Sequence, residues 1–189
     1  MAAKVAIKYG IFTGKHVGRK FRRALVANGY TPVDDASAAD IIIGHSAGCF
    51  WLEHTKPNQK LVLVDPPYWP GKTAKQRAKS RANSHLHYRK NGFPLHYWIR
   101  RTWWGLYYAV VDIPRSRKIV RYADSFNLKQ VIKDRSIVLI RNQKDDWLTP
   151  DLDDLIAINP AMKIVHIPGD HDDCWFNPKP YIKAINELT

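Results

Sequence analysis

Short apolar runs recur along the chain and alternate with segments that have helical character. The runs lie at 5–12, 30–33, 41–43, 61–64, 137–140 and 163–167 and are rich in Val, Ile and Leu. Helices are predicted from Val17 to the stop signal Asn28-Gly29 and over 47–55, 95–111, 151–158 and 179–188. Strands that alternate with helices favour a mostly parallel sheet covered by helices on both faces. The predicted fold class is therefore α/β.

The composition is that of a globular domain. The chain has 189 residues, 45% of them hydrophobic and 25% charged, which excludes a disordered tail, a fibre or a disulfide-stapled miniprotein. The two cysteines are best interpreted as buried free thiols. No run reaches the roughly 18 apolar residues of a transmembrane helix, and the N-terminus lacks an apolar leader, so we expect a cytoplasmic protein without a transmembrane segment.

Positive charge is concentrated in the middle of the chain. The segment 70–135 carries 16 basic and three acidic residues, which equals the whole net charge of +13. The remainder, 1–69 and 136–189, carries 14 of each sign. We therefore predict a core formed by 1–69 and 136–189 and an inserted, basic and aromatic-rich helical cap at 70–135, with helices at 73–90 and 95–111.

Chemistry is expected where the predicted strands end, because ligands bind at the carboxyl ends of the strands in open α/β sheets. The run at 41–43 is followed at once by Gly44-His45-Ser46-Ala47-Gly48, a G-x-S-x-G motif between a strand and a helix. This motif presents a serine hydroxyl on a tight turn, and small residues at its ends let strand and helix approach closely. Ser46 is the candidate nucleophile.

A serine needs a base, and the base needs an orienting acid. The loop at 168–176 offers His171, and the loop at 141–150 offers Asp145 and Asp146. Asp65, which ends the run at 61–64, is a third candidate acid. The residues alone leave Asp146, Asp145 and Asp65 open as the orienting acid.

This order of motifs resembles the α/β-hydrolase superfamily, in particular compact esterase-like serine hydrolases. The resemblance rests on G-H-S-A-G, then the acid, then Gly169-x-His171, and it leaves the basic segment out. It implies a catalytic triad of Ser46, His171 and Asp146 that cleaves an ester (or a thioester or amide) through an acyl-enzyme. Asp146 is preferred because it forms a family-like D-x-x-x-P pattern with Pro150 and lies 25 residues before His171, and Asp145 and Asp65 stay open as alternatives. The resemblance further implies an oxyanion hole formed by backbone N–H groups of Ala47 and the 10–12 loop, at Ile11. No metal or cofactor is implied.

The basic segment supports several interpretations. It occupies the place where this family commonly inserts a cap, whose aromatic residues Trp98, Trp103 and Trp104 would contact substrate. Its charge could instead bind an anionic membrane surface or nucleic acid, or attract an anionic substrate. The alternative function is accordingly a non-catalytic α/β-hydrolase scaffold that binds nucleic acid or an anionic membrane through this segment.

Overall fold

Six strands form one parallel sheet in the structure, a computed structural model that describes residues 2–10, 13–68, 95–111, 113–114, 117–118, 126–145 and 152–187. The strand order is β2-β1-β3-β4-β5-β6, and every neighbouring pair is parallel. The predicted mostly parallel α/β sheet is confirmed. The strands are β1 (Lys4–Lys8), β2 (Thr31–Val33), β3 (Ile41–His45), β4 (Lys60–Val64), β5 (Ile137–Asn142) and β6 (Lys163–Ile167).

Helices cover both faces of the sheet. Short 3₁₀ helices span Ala36–Ala38 and Ser46–His54. The α-helices are α1 (Arg19–Ala27), α2 (Leu95–Val111), α3 (Leu128–Ile132), α4 (Asp153–Ile158), α5 (Asp173–Phe176) and α6 (Lys179–Asn186).

Alternate residues of the central strands supply two separate cores, because successive side chains of a strand point to opposite faces. Ile41 and Ile43 pack with α1, α5 and α6 on one face. Ile42 packs on the other face with the helix Ser46–His54, α3 and α4. Burial on both sides explains why these strands are apolar throughout rather than alternating. The cysteines follow the same division, since Cys49 lies in the second core and Cys174 in the first, both buried and free as predicted.

The strand order reverses direction between β1 and β3. The connection after β1 passes through α1 on one face, and the helix after β3 packs on the other face. The two connections diverge, so a crevice opens at the carboxyl ends of β1 and β3, the preferred ligand position in such sheets. Gly10 follows β1 and Ser46 follows β3, which places the candidate nucleophile at this crevice.

The cap is described only in part. Its second predicted helix is confirmed as α2, whereas the helix predicted at 73–90 lies outside the described residues. The division into core and cap remains a prediction. None of the helices in the described ranges is long and apolar enough to cross a bilayer.

Candidate active site

Ser46 occupies a sharp turn between a strand and a helix. It follows β3 directly and starts the 3₁₀ helix Ser46–His54. Its φ is 53°, in the left-handed region that costs a residue with a side chain roughly 1–2 kcal/mol. Strain of this kind persists only when the surrounding structure fixes it, and it concentrates at functional sites.

The two glycines of the motif are required by close packing of the turn. A Cβ at position 48 would lie 2.0 Å from the backbone oxygen of Lys8, at the end of β1. A Cβ at position 44 would lie 3.0 Å from Cys49 Sγ and 3.1 Å from its Cα. The turn therefore presses against both the neighbouring strand and its own helix, and this packing keeps Ser46 in its strained conformation.

Gly10, in the loop after β1, lies against Ser46. A Cβ at Gly10 would lie 3.1 Å from Cβ and 3.4 Å from Oγ of the serine. The hydroxyl of Thr13 donates to the Gly10 carbonyl at 2.8 Å and closes this loop, a contact that sequence reasoning missed. Ala47, a predicted oxyanion donor, is buried at the start of the helix, whereas Ile11 lies outside the described residues.

His171 is paired with Asp145. Nδ1 of the imidazole lies 2.7 Å from Oδ2 of Asp145, and both residues are buried. Asp145 was an alternative in the sequence prediction, and the preferred Asp146 lies outside the described residues. The third candidate, Asp65, is fully buried with Oδ2 3.9 Å from the same Nδ1. The structure therefore brings His171, Asp145 and Asp65 into one buried cluster.

Opposing effects set the protonation of His171. Burial favours its neutral form, but the charge and hydrogen bond of Asp145, with the charges of Asp65 and Asp172, raise the pKa of His171 to about 9. Burial and the nearby Asp145 also raise the pKa of Asp65 well above its ordinary value, although His171 and Asn142 act in the opposite direction. Asp65 and His171 thus compete for a proton within the same buried cluster.

A second histidine fixes the loop that carries His171. Nε2 of His45 donates to the backbone oxygen of His171 at 2.7 Å, and the two rings lie 4.8 Å apart. His45 directly precedes Ser46, so this bond connects the serine turn to the histidine loop. Nothing in the sequence pattern around His45 reveals this partner, which lies 126 residues away.

Asp65 belongs to a buried polar network. Asn142, the last residue of β5, donates to Asp65 from its backbone N at 2.8 Å and from Nδ2 at 2.5 Å. Tyr181 donates its hydroxyl to Asn142 Oδ1 at 2.5 Å. The backbone carbonyl of Asn142 accepts a hydrogen bond from the Asp145 N–H at 3.1 Å. The network that holds Asn142 therefore also sets the position of Asp145.

Two overlapping groups of described side chains are close enough to share a metal ion. One consists of His45, His171 and Asp172, and the other of Asp65, Asp145 and His171. Hydrogen bonds of 2.7 Å already join some of these residues, from His45 Nε2 to the His171 carbonyl and between His171 Nδ1 and Asp145 Oδ2. They account for the contacts of His45 with His171 and of His171 with Asp145.

The predicted cap residues have different surroundings. Trp104 stacks on His16, with ring centroids 4.5 Å apart and nearly parallel planes. Tyr108 lies so close to Gly14 that a Cβ there would be 2.4 Å from its ring. Helix α2 thus packs on the loop that continues from Gly10. Trp103 points away and is 69% exposed, and the side chain of Trp98 lies outside the described residues.

Solved structures resemble this fold over nearly its whole length. An N-formylmaleamic acid deformylase from Pseudomonas putida S16 superposes with a TM-score of 0.64 at 15% identity, covering 98% of this chain and 92% of its own. An enol-lactonase from Burkholderia xenovorans LB400 gives 0.68 at 11% identity, covering 100% and 91%. A carboxylesterase structure from Nitrososphaera gargenis gives 0.60 at 12% identity, covering 99% and 89%.

The chain has the α/β-hydrolase fold. No protein-family model and no curated protein sequence matches it. At 10–15% identity the resemblance establishes the α/β-hydrolase fold alone, because one fold carries many different activities.

Proposed function

We propose that the protein is a serine hydrolase that cleaves a carboxylic ester through an acyl-enzyme on Ser46. The observation that carries this proposal is the strained φ of 53° at Ser46, on a turn between strand and helix at the crevice of the sheet. A residue with a side chain in this conformation costs stability, and holding a nucleophilic side chain at the end of the strand is the functional reason for such a turn in this fold. A glycine would serve a purely structural turn at lower cost.

In the proposed reaction, the Ser46 hydroxyl attacks the acyl carbon and its proton passes to His171. Asp145 accepts the Nδ1–H of His171, which leaves Nε2 as the base and stabilises the imidazolium that forms. The C–O bond to the alcohol then breaks, and His171 returns the proton to the departing oxygen. A water molecule repeats these steps on the acyl-enzyme and releases the acid.

The developing oxyanion would be stabilised by backbone N–H groups. Ala47 offers one at the start of the helix Ser46–His54, and the loop that follows Gly10 offers the second. The closeness of Gly10 to Ser46 supports this assignment, since a Cβ at Gly10 would lie 3.4 Å from the serine Oγ.

The substrate class is an acyl compound. The names of similar structures, which include a deformylase, an enol-lactonase, carboxylesterases and a thioesterase, support hydrolysis at an acyl carbon. A thioester or amide would pass through the same intermediate. The alternative of a non-catalytic scaffold depends on the basic segment, much of which lies outside the described residues, and it stays a prediction.

Labelling with a fluorophosphonate probe tests the proposal. Wild-type protein should be labelled and Ser46→Ala should not, because the probe requires an activated serine. Ser37→Ala is the matched control, since Ser37 is exposed and its hydroxyl bonds only Asp35 among the contacts described. Absence of labelling in folded wild-type protein, or equal labelling of Ser46→Ala, would overturn the proposal.

A further inference from the structure

Helix α2 presents a continuous apolar face to solvent, which we call the outer stripe. Spacings of four, four, three and four residues place its members on one side of the helix, over about 22 Å at 1.5 Å per residue. Trp103 is 69% and Val110 72% exposed, far above what apolar side chains adopt in a core. The outer stripe consists of Leu95, Ile99, Trp103, Leu106 and Val110.

The outer stripe is not the side by which α2 attaches to the domain. Trp104 and Tyr108 attach it, since both are partly buried against the first core. Trp104 stacks on His16, and Tyr108 packs on Gly14. A helix that is apolar on the side facing solvent as well as on its docked side marks an interaction surface.

The same part of the chain is strongly cationic. All of the net charge of +13 falls between 70 and 135, and basic residues flank α2 in sequence on both sides, with Arg89 and Lys90 before it and Arg115, Arg117 and Lys118 after it. An occupant of the outer stripe therefore has to satisfy both an apolar surface and an excess of positive charge.

Three conceivable occupants of the outer stripe satisfy only one of these two requirements. Nucleic acid would use the charge but not Leu, Ile and Val side chains. A second copy would cover the stripe but would bring two segments of charge +13 together. The segment 69–94 of the same chain carries seven basic residues and few large apolar ones, so it suits an anionic surface better than an apolar stripe.

We infer that the outer stripe docks on an anionic phospholipid bilayer. Its apolar side chains would enter the boundary between headgroups and acyl chains, where Trp is favoured, while the flanking Lys and Arg residues contact lipid phosphates. Since α2 rests on the loop after β1, the docked face is on the side of the sheet edge that carries Ser46. The inference does not depend on the proposed function, because docking requires no catalysis.

Vesicle co-sedimentation of the full chain tests this inference. Phosphatidylcholine vesicles with phosphatidylglycerol should bind the protein at least about tenfold more strongly than phosphatidylcholine alone, and high salt should reduce that binding. The double variant Leu106→Gln, Val110→Gln should weaken it by about tenfold at constant charge. Ser46→Ala should bind like wild type, which keeps this test separate from that of catalysis.

The matched control is Val26→Gln, Ile156→Gln. Both residues are exposed apolar residues on other helices, α1 and α4, and this variant should bind vesicles like wild type. Circular dichroism checks that every variant is folded. Equal binding to neutral and anionic vesicles, or no effect of the stripe variant, would overturn the inference. So would salt-sensitive binding to DNA or RNA without vesicle binding, or a dimer that the stripe variant dissociates.

Discussion

The candidate active site and the outer stripe are opposite departures from the usual distribution of residues in a folded domain. At the site, charged and polar side chains are buried, with Asp65 at 0% and His171 at 6% exposure. On the outer stripe, large apolar side chains are exposed, with Trp103 at 69%. Buried polar groups and exposed apolar patches are the informative exceptions in a globular protein. Both the buried polar cluster and the exposed apolar stripe cost stability. A function is therefore the expected reason for the residues at both places.

The largest expected effect is a loss of catalytic activity that distinguishes the three candidate acids. Asp145→Asn should lower kcat/KM for a p-nitrophenyl ester about 1,000-fold, since an amide cannot stabilise the imidazolium and favours the wrong tautomer. Asp65→Asn should have a smaller effect, because its oxygen lies 3.9 Å from Nδ1 rather than 2.7 Å. Asp146→Asn is the matched neighbour and should resemble wild type. A large loss in Asp146→Asn with none in Asp145→Asn would place the acid at Asp146.

The next effect concerns the packing of the serine turn. Gly48→Ala should lower the free energy of unfolding by about 3 kcal/mol or more, because its Cβ would lie 2.0 Å from the Lys8 oxygen. Gly29→Ala is the control, with nothing within 4 Å of its Cβ and only a φ of 83° to oppose it. That variant should lose about 1 kcal/mol. Urea unfolding measures both, and equal losses would contradict the close packing of the turn.

The pH dependence of catalysis reports the charge of the cluster. kcat/KM should rise with pH through the pKa of His171 at about 9, since only neutral imidazole accepts the serine proton. Asp65→Asn removes a carboxyl group whose charge raises the pKa of His171, so it should move this profile to lower pH. Rate measurements and histidine NMR on both proteins check this. An unchanged or upward shift would show that Asp65 does not act on His171.

A smaller effect should reveal the strain at Ser46. Ser46→Gly should raise the free energy of unfolding by about 1 kcal/mol, since glycine adopts a φ of 53° without a steric penalty. Ser46→Ala keeps the Cβ and should show no such gain. Urea unfolding of Ser46→Gly and Ser46→Ala measures this difference. Equal free energies of unfolding for the two variants would mean that the turn stores no strain.

The smallest effect is expected on the outer stripe. Leu106→Ala should change the free energy of unfolding by no more than about 0.5 kcal/mol, because the side chain is already exposed to water. Leu63→Ala, a matched change in the fully buried part of β4, should cost about 2–5 kcal/mol. Comparable losses at both positions would show that the stripe is covered within the domain.

The sequence predicts the sheet well because burial on both faces leaves continuous apolar runs. Residues Ile41 to Ile43 and 61–64 read as strands for this reason, and Ser46 follows from the motif after the first of them. Boundaries were less accurate. The first strand was predicted over 5–12 but ends at Lys8, and Gly10, two residues further on, already lies against Ser46.

The partners within the site depend on contacts that sequence does not record. Asp145 and Asp146 have the same chemistry, and the turn closed by the 3.1 Å bond from Asp145 N to Asn142 O fixes the direction of the first. The bond between His45 and the His171 carbonyl joins residues that are 126 positions apart. Asn142 and Tyr181 belong to no motif, and only the packing of α6 against β5 brings them together.

The placement of two carboxylates around one imidazole has an evolutionary consequence. Asp65 and Asp145 are carried by different strand ends, yet their oxygens lie within 4.8 Å of each other and of His171. A lineage that lost Asp145 by mutation would still carry a buried acid 3.9 Å from Nδ1, and a small movement of the loops after β4 and β6 would form a hydrogen bond. The acid can therefore migrate from one strand end to the other through intermediates that keep some activity.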